Sequence, residues 1–367
     1  MSAPILIVLP HLRPGGIERS VMLLANELTR TGTPVHLLLS RRDGALLADL
    51  RPEVAVSDLG GRRAASSIVS IFEMIKGARA VYSGTNARNL AVLSAAAVRA
   101  SAPPILISEH TSPEVYLATA KWPALRRLAM RRLYPRAARL VAPTPGLGEA
   151  WLTQLSLSGP PVAVLPNPIL TADDIALSAR IAAGSGPDRD PDLVVSIGRL
   201  HSAKGPDILL DAFAVALGRR PSLRLDLWGE GAEEPALRAQ AERLGIAENV
   251  RFRGLTSQSV TEIAGAGLFA LASRREGFGN VVVEALAAGT PVVATDCDGP
   301  RRLLDGLGPA GRIVPRENPD ALGLAIAEQA GQAEALAEAR QAGPARAERY
   351  SVAAAAEAFR ALIDEVS

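Results

Sequence analysis

Cysteine is almost absent: Cys297 is the single one in 367 residues. That excludes an intrachain disulfide and a cluster of thiolate ligands around a metal. A reducing compartment fits this usage. Charge of one sign is also missing. Forty basic residues stand against 38 acidic ones, a net +2, so the whole chain makes no electrostatic case for nucleic acid and local clusters matter more. No stretch of 18 uncharged apolar residues occurs, hence no candidate membrane span. The opening Met1-Ser2-Ala3-Pro4-Ile5 lacks a basic start and a long apolar run, so no signal peptide is expected. No G-x-G-x-x-G stands at the first βα turn, which leaves dinucleotide binding unsupported. Aromatic residues make up only 4%, with alanine and arginine abundant, the codon bias of a GC-rich genome.

What is present is alternation of strand and helix. Ile5–Leu9 is a continuous apolar run, as in a parallel strand buried on both faces. Ile17, Val21, Leu24, Ala25 and Leu28 then recur at helical spacing as far as Arg30, and Val35–Leu39 reads as the next strand. Between them lies a Gly15-Gly16 turn at a helix start, which can present N–H groups to an anion. Further on, a helix is expected over residues 86–99 and strands at 105–108, 140–142 and 162–165. Glu109-His110-Thr111-Ser112 follows one of these strands, at the carboxyl end where open parallel sheets bind ligands. Pro166-Asn167-Pro168 marks the expected hinge, and residues 182–191 read as a loop. The pattern then restarts with a strand at 193–197, a turn from Gly198 to Pro206 and a helix to about 217. Strands follow at 223–228, 250–252, 268–272, 292–295 and 313–314, and the tail is helical. Length and restart together give two α/β domains, with a ligand cleft between them as the default site.

The richest stretch runs from Arg275 to Ala294, read as loop, helix, strand. Gly277 and Gly279 free the loop for a close approach to a ligand. A helix is expected from about Asn280, with Asn as its N-cap. Its open end is a seat for phosphate. Glu276 lies in the loop and Glu284 about one turn into the helix, pointing back toward its start. Two carboxylates that accept hydroxyls beside a diphosphate seat suggest a nucleotide sugar. Arg199 and Lys204, on the turn after another strand, can hold a diphosphate as fork and point charge. Gly254 and Leu255, after the 250–252 strand, offer backbone groups to a base. Cys297 reads as a small buried filler.

One segment is strongly basic. Lys121, Arg126, Arg127, Arg131, Arg132, Arg136 and Arg139 occur with no acid among them, interleaved with Trp122, Leu125, Leu128, Met130 and Leu133. This is the composition of a helix lying on anionic lipid. It equally suits a domain helix that packs an apolar stripe on the sheet and solvates its arginines. Nucleic acid is disfavoured, since no aromatic stacking platform accompanies the charge.

Four segments resemble family 4 retaining glycosyltransferases of the GT-B fold. They are Gly15-Gly16-Ile17-Glu18, His110 after its strand, Gly198-Arg199-Leu200 with Lys204-Gly205, and the Glu276 to Glu284 element, which matches the family's E-x7-E pattern. The resemblance implies two Rossmann-like domains whose parallel sheets face across a cleft. Residues 1–167 would bind the acceptor, 168–350 the nucleotide sugar, and 351–367 would form a helix crossing back to the first domain. Arg199 and Lys204 would neutralise the donor diphosphate, Glu284 would bind ribose and Glu276 the donor sugar. Gly277, Phe278, Gly279, Asn280 and Val281 would line phosphate or sugar, Gly15 and Gly16 would approach phosphate, and His110 would sit near the reacting sugar. The carrier expected is UDP rather than GDP, and no metal or other cofactor is expected. Asp298-Gly299-Pro300-Arg301 is similar to the S-G-P-R-E run of transferases that extend lipid-linked or cell-surface glycans, with Asp298 and Arg302 as departures. With the basic segment (Lys121, Arg126, Arg127, Arg131 and Arg132 as its lipid or acceptor surface) this favours a membrane-surface acceptor and a place on the cytoplasmic face of the cell membrane. A soluble acceptor such as a sugar phosphate or inositol, or a non-catalytic carbohydrate-binding subunit, are the competing readings.

Overall fold

The computed structural model describes residues 3–61, 67–98 and 101–367. Two compact units emerge, Met1–Ile169 with Val352–Ser367, and Leu170–Ser351. In the first unit the elements run β1 (Ile5–Leu9), α1 (Gly16–Arg30), β2 (Val35–Leu39), β3 (Ala55–Asp58), α2 (Ile68–Met74), β4 (Ala80–Ser83) and α3 (Asn86–Ala97). They continue with β5 (Ile105–Ser108), α4 (Pro113–Thr119), α5 (Pro123–Leu133), β6 (Arg139–Ala142), α6 (Pro145–Leu155) and β7 (Val162–Val164). The second unit holds α7 (Ala172–Ala182), β8 (Asp190–Ile197), α8 (Pro206–Arg219), β9 (Arg224–Trp228), α9 (Glu234–Arg243), β10 (Val250–Gly254) and α10 (Ser259–Ala264). It ends with β11 (Ala266–Leu271), α11 (Asn280–Ala287), β12 (Val292–Thr295), α12 (Asp298–Leu304), β13 (Gly311–Val314), α13 (Pro319–Gln329) and α14 (Ala333–Ala347). The last helix, α15 (Val352–Val366), returns to the first unit.

Both sheets are parallel and Rossmann-like. Their strand orders are β3-β2-β1-β4-β5-β6-β7 and β10-β9-β8-β11-β12-β13. Burial explains the apolar runs. Along β1, Ile5, Ile7 and Leu9 join the core that holds α1 and α15, while Leu6 and Val8 join the core on the opposite face. Each sheet reverses its winding direction once, between β1 and β4 and between β8 and β11. Ligands of open parallel sheets bind outside the carboxyl ends of the strands at such a switch.

Several boundaries differ from the sequence reading. Asp190 and Pro191, read as loop, already belong to β8, because Asp190 pairs with Ala266 at the start of β11. The helix over 86–99 ends at Ala97, and Arg99 lies outside the described residues, as do Met1 and Ser2 of the leading segment. Asn280 is not the N-cap of α11 but its first helical residue. Gly279 takes the cap position at φ 93°, a left-handed conformation that favours glycine. The basic segment is not one helix from Lys121 to Arg139. Pro123 opens α5, Tyr134–Arg136 forms a 3-10 turn and Arg139 begins β6. The stripe with Leu125 and Leu128, which the sequence left open to lipid or to the sheet, is not the face of α5 that packs. Met130 and Tyr134 are fully buried, whereas Leu125 and Leu128 are 58% and 50% exposed and Trp122 is 76% exposed. Arg126 turns back onto α4, donating to the Tyr116 hydroxyl and, through Nε, to the Lys121 carbonyl at 3.1 Å. Lys121, Arg127, Arg131 and Arg132 remain exposed around the two leucines and the tryptophan.

Helix α15 is held by burial more than by charge. Phe359 is fully buried and meets Tyr82 edge to face at 5.3 Å, while Arg79–Asp364 and Arg139–Glu365 pair at the rim. Partly exposed ion pairs contribute little. Phe359→Ala is therefore expected to cost about 3–5 kcal/mol in urea unfolding. A loss below about 1 kcal/mol would show that rim charges, not the aromatic contact, dock the helix.

Candidate active site

Two loops meet where β8 and β11 end, on either side of the switch in the second sheet. The first spans Gly198 to Gly205 and contains a 3-10 turn, Ser202–Lys204, whose Ala203 N–H is capped by His201 Nδ1 at 3.1 Å. The second runs from Ala272 to Gly279. Main-chain bonds join them: the N–H groups of Arg274 and Arg275 both donate to the Ala203 carbonyl, at 3.1 and 3.2 Å. Arg274 adds a clamp. Its two terminal nitrogens reach both Asp207 oxygens at 2.7 Å, Nη1 also reaches the Ser202 carbonyl at 2.8 Å, and Nε reaches Glu317 at 2.8 Å. Hydrogen bonding to Asp207 holds Arg274 well above its ordinary range and lowers the Asp207 carboxyl. Arg274 is thus committed to holding the loops in place. Nothing in the sequence distinguished it from its neighbour Arg275.

The clamp brings three sequence-predicted residues together. Lys204 Nζ forms an ion pair with Glu276 Oε2, both partly buried. Arg199 and Lys204 line one recess at the end of β8, together with Trp228 and Leu271. Glu284 is buried in α11, 6% exposed. Gly277 is exposed in the loop, and Val281 follows Asn280 in the first turn of α11. Phe278 points inward onto Tyr350, ring centroids 5.4 Å apart, and its carbonyl lies against Gly299. Gly254 accepts from Gly229 N–H at 2.7 Å beyond β9, and Leu255 beside it is 64% exposed. The Gly229-Glu230-Gly231 turn has a role the sequence reading passed over. A Cβ on Gly229, at φ 134°, would lie 1.9 Å from the Gly198 carbonyl oxygen, and one on Gly231 would lie 2.0 Å from that of Leu200. Only glycine lets β9's turn press against the Arg199 loop.

Contrary to the expectation of none at a strand end, a D-x-D triplet, Asp296-Cys297-Asp298, follows β12. Its carboxylates are spoken for: Asp296 pairs with Arg301 at 2.6 Å and Asp298 with Arg302 at 3.1 Å. The second pair gives the two departures in Asp298-Gly299-Pro300-Arg301-Arg302 a common reason, since the acid and the base sit one helical turn apart and neutralise each other. Cys297 is buried, donates to the Ser273 carbonyl at 3.3 Å, and has its thiol pushed up by burial.

In the first unit, His110 follows β5 and lines a recess with Ile17 and Ser20 of α1 and with Tyr82. Its Nε2 lies 2.8 Å from Ser108 Oγ, and burial pulls it down to about 4, so the ring is neutral at pH 7. Glu109 turns the other way into the core. It accepts from Asn86, from Asn89 at 3.0 Å and from the Tyr134 hydroxyl, yet burial outweighs these donors and pushes it up to about 8. At the Gly15-Gly16 turn, Glu18 folds its carboxylate back to within 2.3 Å of where a Gly15 Cβ would stand, with His11 Nδ1 3.8 Å from the other oxygen. An anion approaching Gly15 and Gly16 meets that carboxylate first, a feature not anticipated from the glycines alone.

Comparison with known proteins fits this geometry. The model for "Glycosyltransferase Family 4" matches residues 14–173, and the model for "Glycosyl transferases group 1" matches residues 179–346. The chain belongs to glycosyltransferase family 4. A phosphatidyl-myo-inositol mannosyltransferase of Mycobacterium tuberculosis is 28% identical over 350 residues, 86% of this chain and 82% of that protein. A D-inositol 3-phosphate glycosyltransferase of Segniliparus rotundus is 36% identical over 192 residues, 50% of this chain and 42% of that protein. Among solved structures, HepE of Anabaena in complex with UDP and glucose superposes with a TM-score of 0.79 at 21% identity, covering 99% of this chain and 100% of that one. The fold of this family 4 glycosyltransferase is accordingly GT-B, built from the two Rossmann-like units described above.

The buried acid beside His110 gives the family 4 chain a pH signature. Below about 4.5, unfolded and folded Glu109 are both protonated. Between 4.5 and about 8 the unfolded carboxyl ionises and the buried one does not, so stability is lost as pH rises through that window. Glu109→Gln removes this loss. The melting temperature of the wild type should fall relative to the variant between pH 5 and 8, and parallel curves would mean Glu109 ionises freely.

Proposed function

We propose that this family 4 glycosyltransferase moves a hexosyl or N-acetylhexosaminyl unit from a nucleotide-diphosphate sugar, UDP-linked in preference to GDP-linked, to a lipid-linked or cell-surface glycan acceptor, with retention and without a metal ion. The Lys204–Glu276 pair beside Arg199 carries the reading. An ammonium has three donors, so Lys204 can keep Glu276 and still meet a phosphate oxygen. As the bond from the anomeric carbon to the diphosphate oxygen breaks, both electrons stay on that oxygen. Arg199, Lys204 and the start of α11 stabilise the growing charge in place of a metal. The acceptor hydroxyl attacks from the same face and its proton passes to the departing phosphate. Glu276 grips hydroxyls of the transferred sugar and Glu284 those of the ribose. His110, neutral at pH 7, serves the reacting sugar as a hydrogen-bonding group rather than a charge.

A panel of UDP- and GDP-sugars should reveal slow release of one nucleoside diphosphate. Lys204→Ala and Glu284→Ala should each lower the rate about 100-fold or more. Full activity in both variants would sink the assignment of these residues to the donor.

The acceptor reading rests on α5. Trp122, Leu125 and Leu128 are exposed among Lys121, Arg127, Arg131 and Arg132, a face suited to the boundary of an anionic bilayer. No described helix is long and apolar enough to cross a membrane, so the proposed attachment is peripheral, on the cytoplasmic face. One relative is named for phosphatidyl-myo-inositol and another for D-inositol 3-phosphate; the exposed α5 face favours the former. In flotation, the wild type should rise with phosphatidylglycerol vesicles at low salt and the Arg131→Glu/Arg132→Glu variant should not. Equal behaviour of both would favour a soluble acceptor.

A further inference from the structure

A second concentration of positive charge sits at the opposite edge of the second unit's sheet from Lys204 and Glu276. Arg189 immediately precedes β8. Its Nη1 donates to the carbonyl of Ala266, which opens β11, at 3.1 Å, and to the hydroxyl of Thr290, just before β12, at 2.7 Å. Its Nη2 donates to the Ala288 carbonyl at the end of α11. All three acceptors lie on the side of the sheet where its strands begin, away from the edge where the donor loops gather. Arg340, on α14, faces the same cavity, whose volume is about 170 Å³ and whose floor is the Gly184–Asp188 loop. The walls are fixed. Gly289, at φ 56°, lets the α14 backbone come so close that a Cβ there would lie 3.2 Å from the Arg340 Cα.

The charge in this cavity is only partly balanced. Among the described residues neither arginine forms a salt bridge, and the one acid lining the cavity, Asp188, is exposed. Burial and then the neighbouring charge of Arg340 pull Arg189 down to about 10. Two like charges beside one cavity repel, and the part-buried Arg189 also loses hydration, unless an anion joins them. Three of the Arg189 donor hydrogens are taken by neutral acceptors, which leaves two of its five, together with those of Arg340, for a further partner. The cavity is also too small for a nucleotide sugar, since pockets for drug-sized ligands measure roughly 300–1,000 Å³.

We infer that Arg189 and Arg340 form a binding site for a small oxyanion, a phosphate group either free or carried by a sugar monophosphate, separate from the donor site. The anion takes the remaining Arg189 donors and the Arg340 fork, and lies against the Gly184–Asp188 loop. It thereby binds at the end of α11 opposite the one that carries Glu276's loop. This site does not depend on the donor reading, because none of its residues belongs to the donor loops.

The test is calorimetric titration of the full chain with inorganic phosphate and, separately, with glucose 6-phosphate. Saturable binding is expected, weakened about tenfold by Arg340→Ala, the loss of one charge-assisted contact, and abolished by Arg340→Glu. Lys204→Ala should leave it unchanged, and Arg340→Ala should leave UDP binding unchanged. Arg340 is exposed, so both variants should fold, which their melting curves check. Whichever anion binds more tightly identifies the source of the phosphate group. Absence of saturable binding, binding indifferent to Arg340, or binding lost in Lys204→Ala instead would overturn the site.

Discussion

A parallel sheet sends every loop that follows a strand to the same edge. This constraint organises both units. It gathers the turns after β1, β4 and β5 in one place and those after β8, β9, β11 and β12 in another. Helices that start at that edge add their positive ends to it. What the parallel arrangement leaves open is how the gathered loops are fixed to each other. In the second unit one carbonyl, that of Ala203, and one guanidinium, that of Arg274, fix them. Lys204 and Glu276 are neighbours because the residues around them are tied, not because the two attract. A partly exposed pair alone would hold little.

Much of this was legible in the sequence, and what was legible has a common cause. Apolar runs such as Ile5–Leu9 and Val292–Thr295 are buried on both faces, and few other environments produce them. The Glu276 to Glu284 spacing was readable because a loop followed by a helix start fixes the spacing of side chains over a short distance. Contacts between distant segments were not readable. Arg274 with Asp207, and Gly229 against Gly198, join residues whose partners are set by the order of strands in the sheet. The basic segment stayed open for a local reason. Helical spacing put Leu125 and Leu128 on one apolar side that suited lipid and sheet equally, and only the phase set by Met130 and Tyr134 turns that side outward.

Glu109 and His110 show how far a parallel strand end can separate two adjacent side chains. Successive residues leave the strand in opposite directions. One carboxyl enters the core against Tyr134 and stays protonated to about pH 8, while the imidazole turns to Ser108 and stays unprotonated to about pH 4. Near pH 7 this pair of ionisable groups therefore carries no charge at all. Their environment suppresses ionisation by opposite routes, so the surface around His110 draws its electrostatics from elsewhere.

The return of α15 to the first unit has a consequence for how the chain is made. Residues Leu170–Ser351 form a continuous segment, so that unit has its whole sequence available as soon as it leaves the ribosome. The first unit does not. Ala356, Phe359 and Ile363 belong to the same core as β1 and α1. Until they are synthesised, α1 and Tyr82 present an uncovered apolar face. The lobe that is translated first is therefore the one completed last.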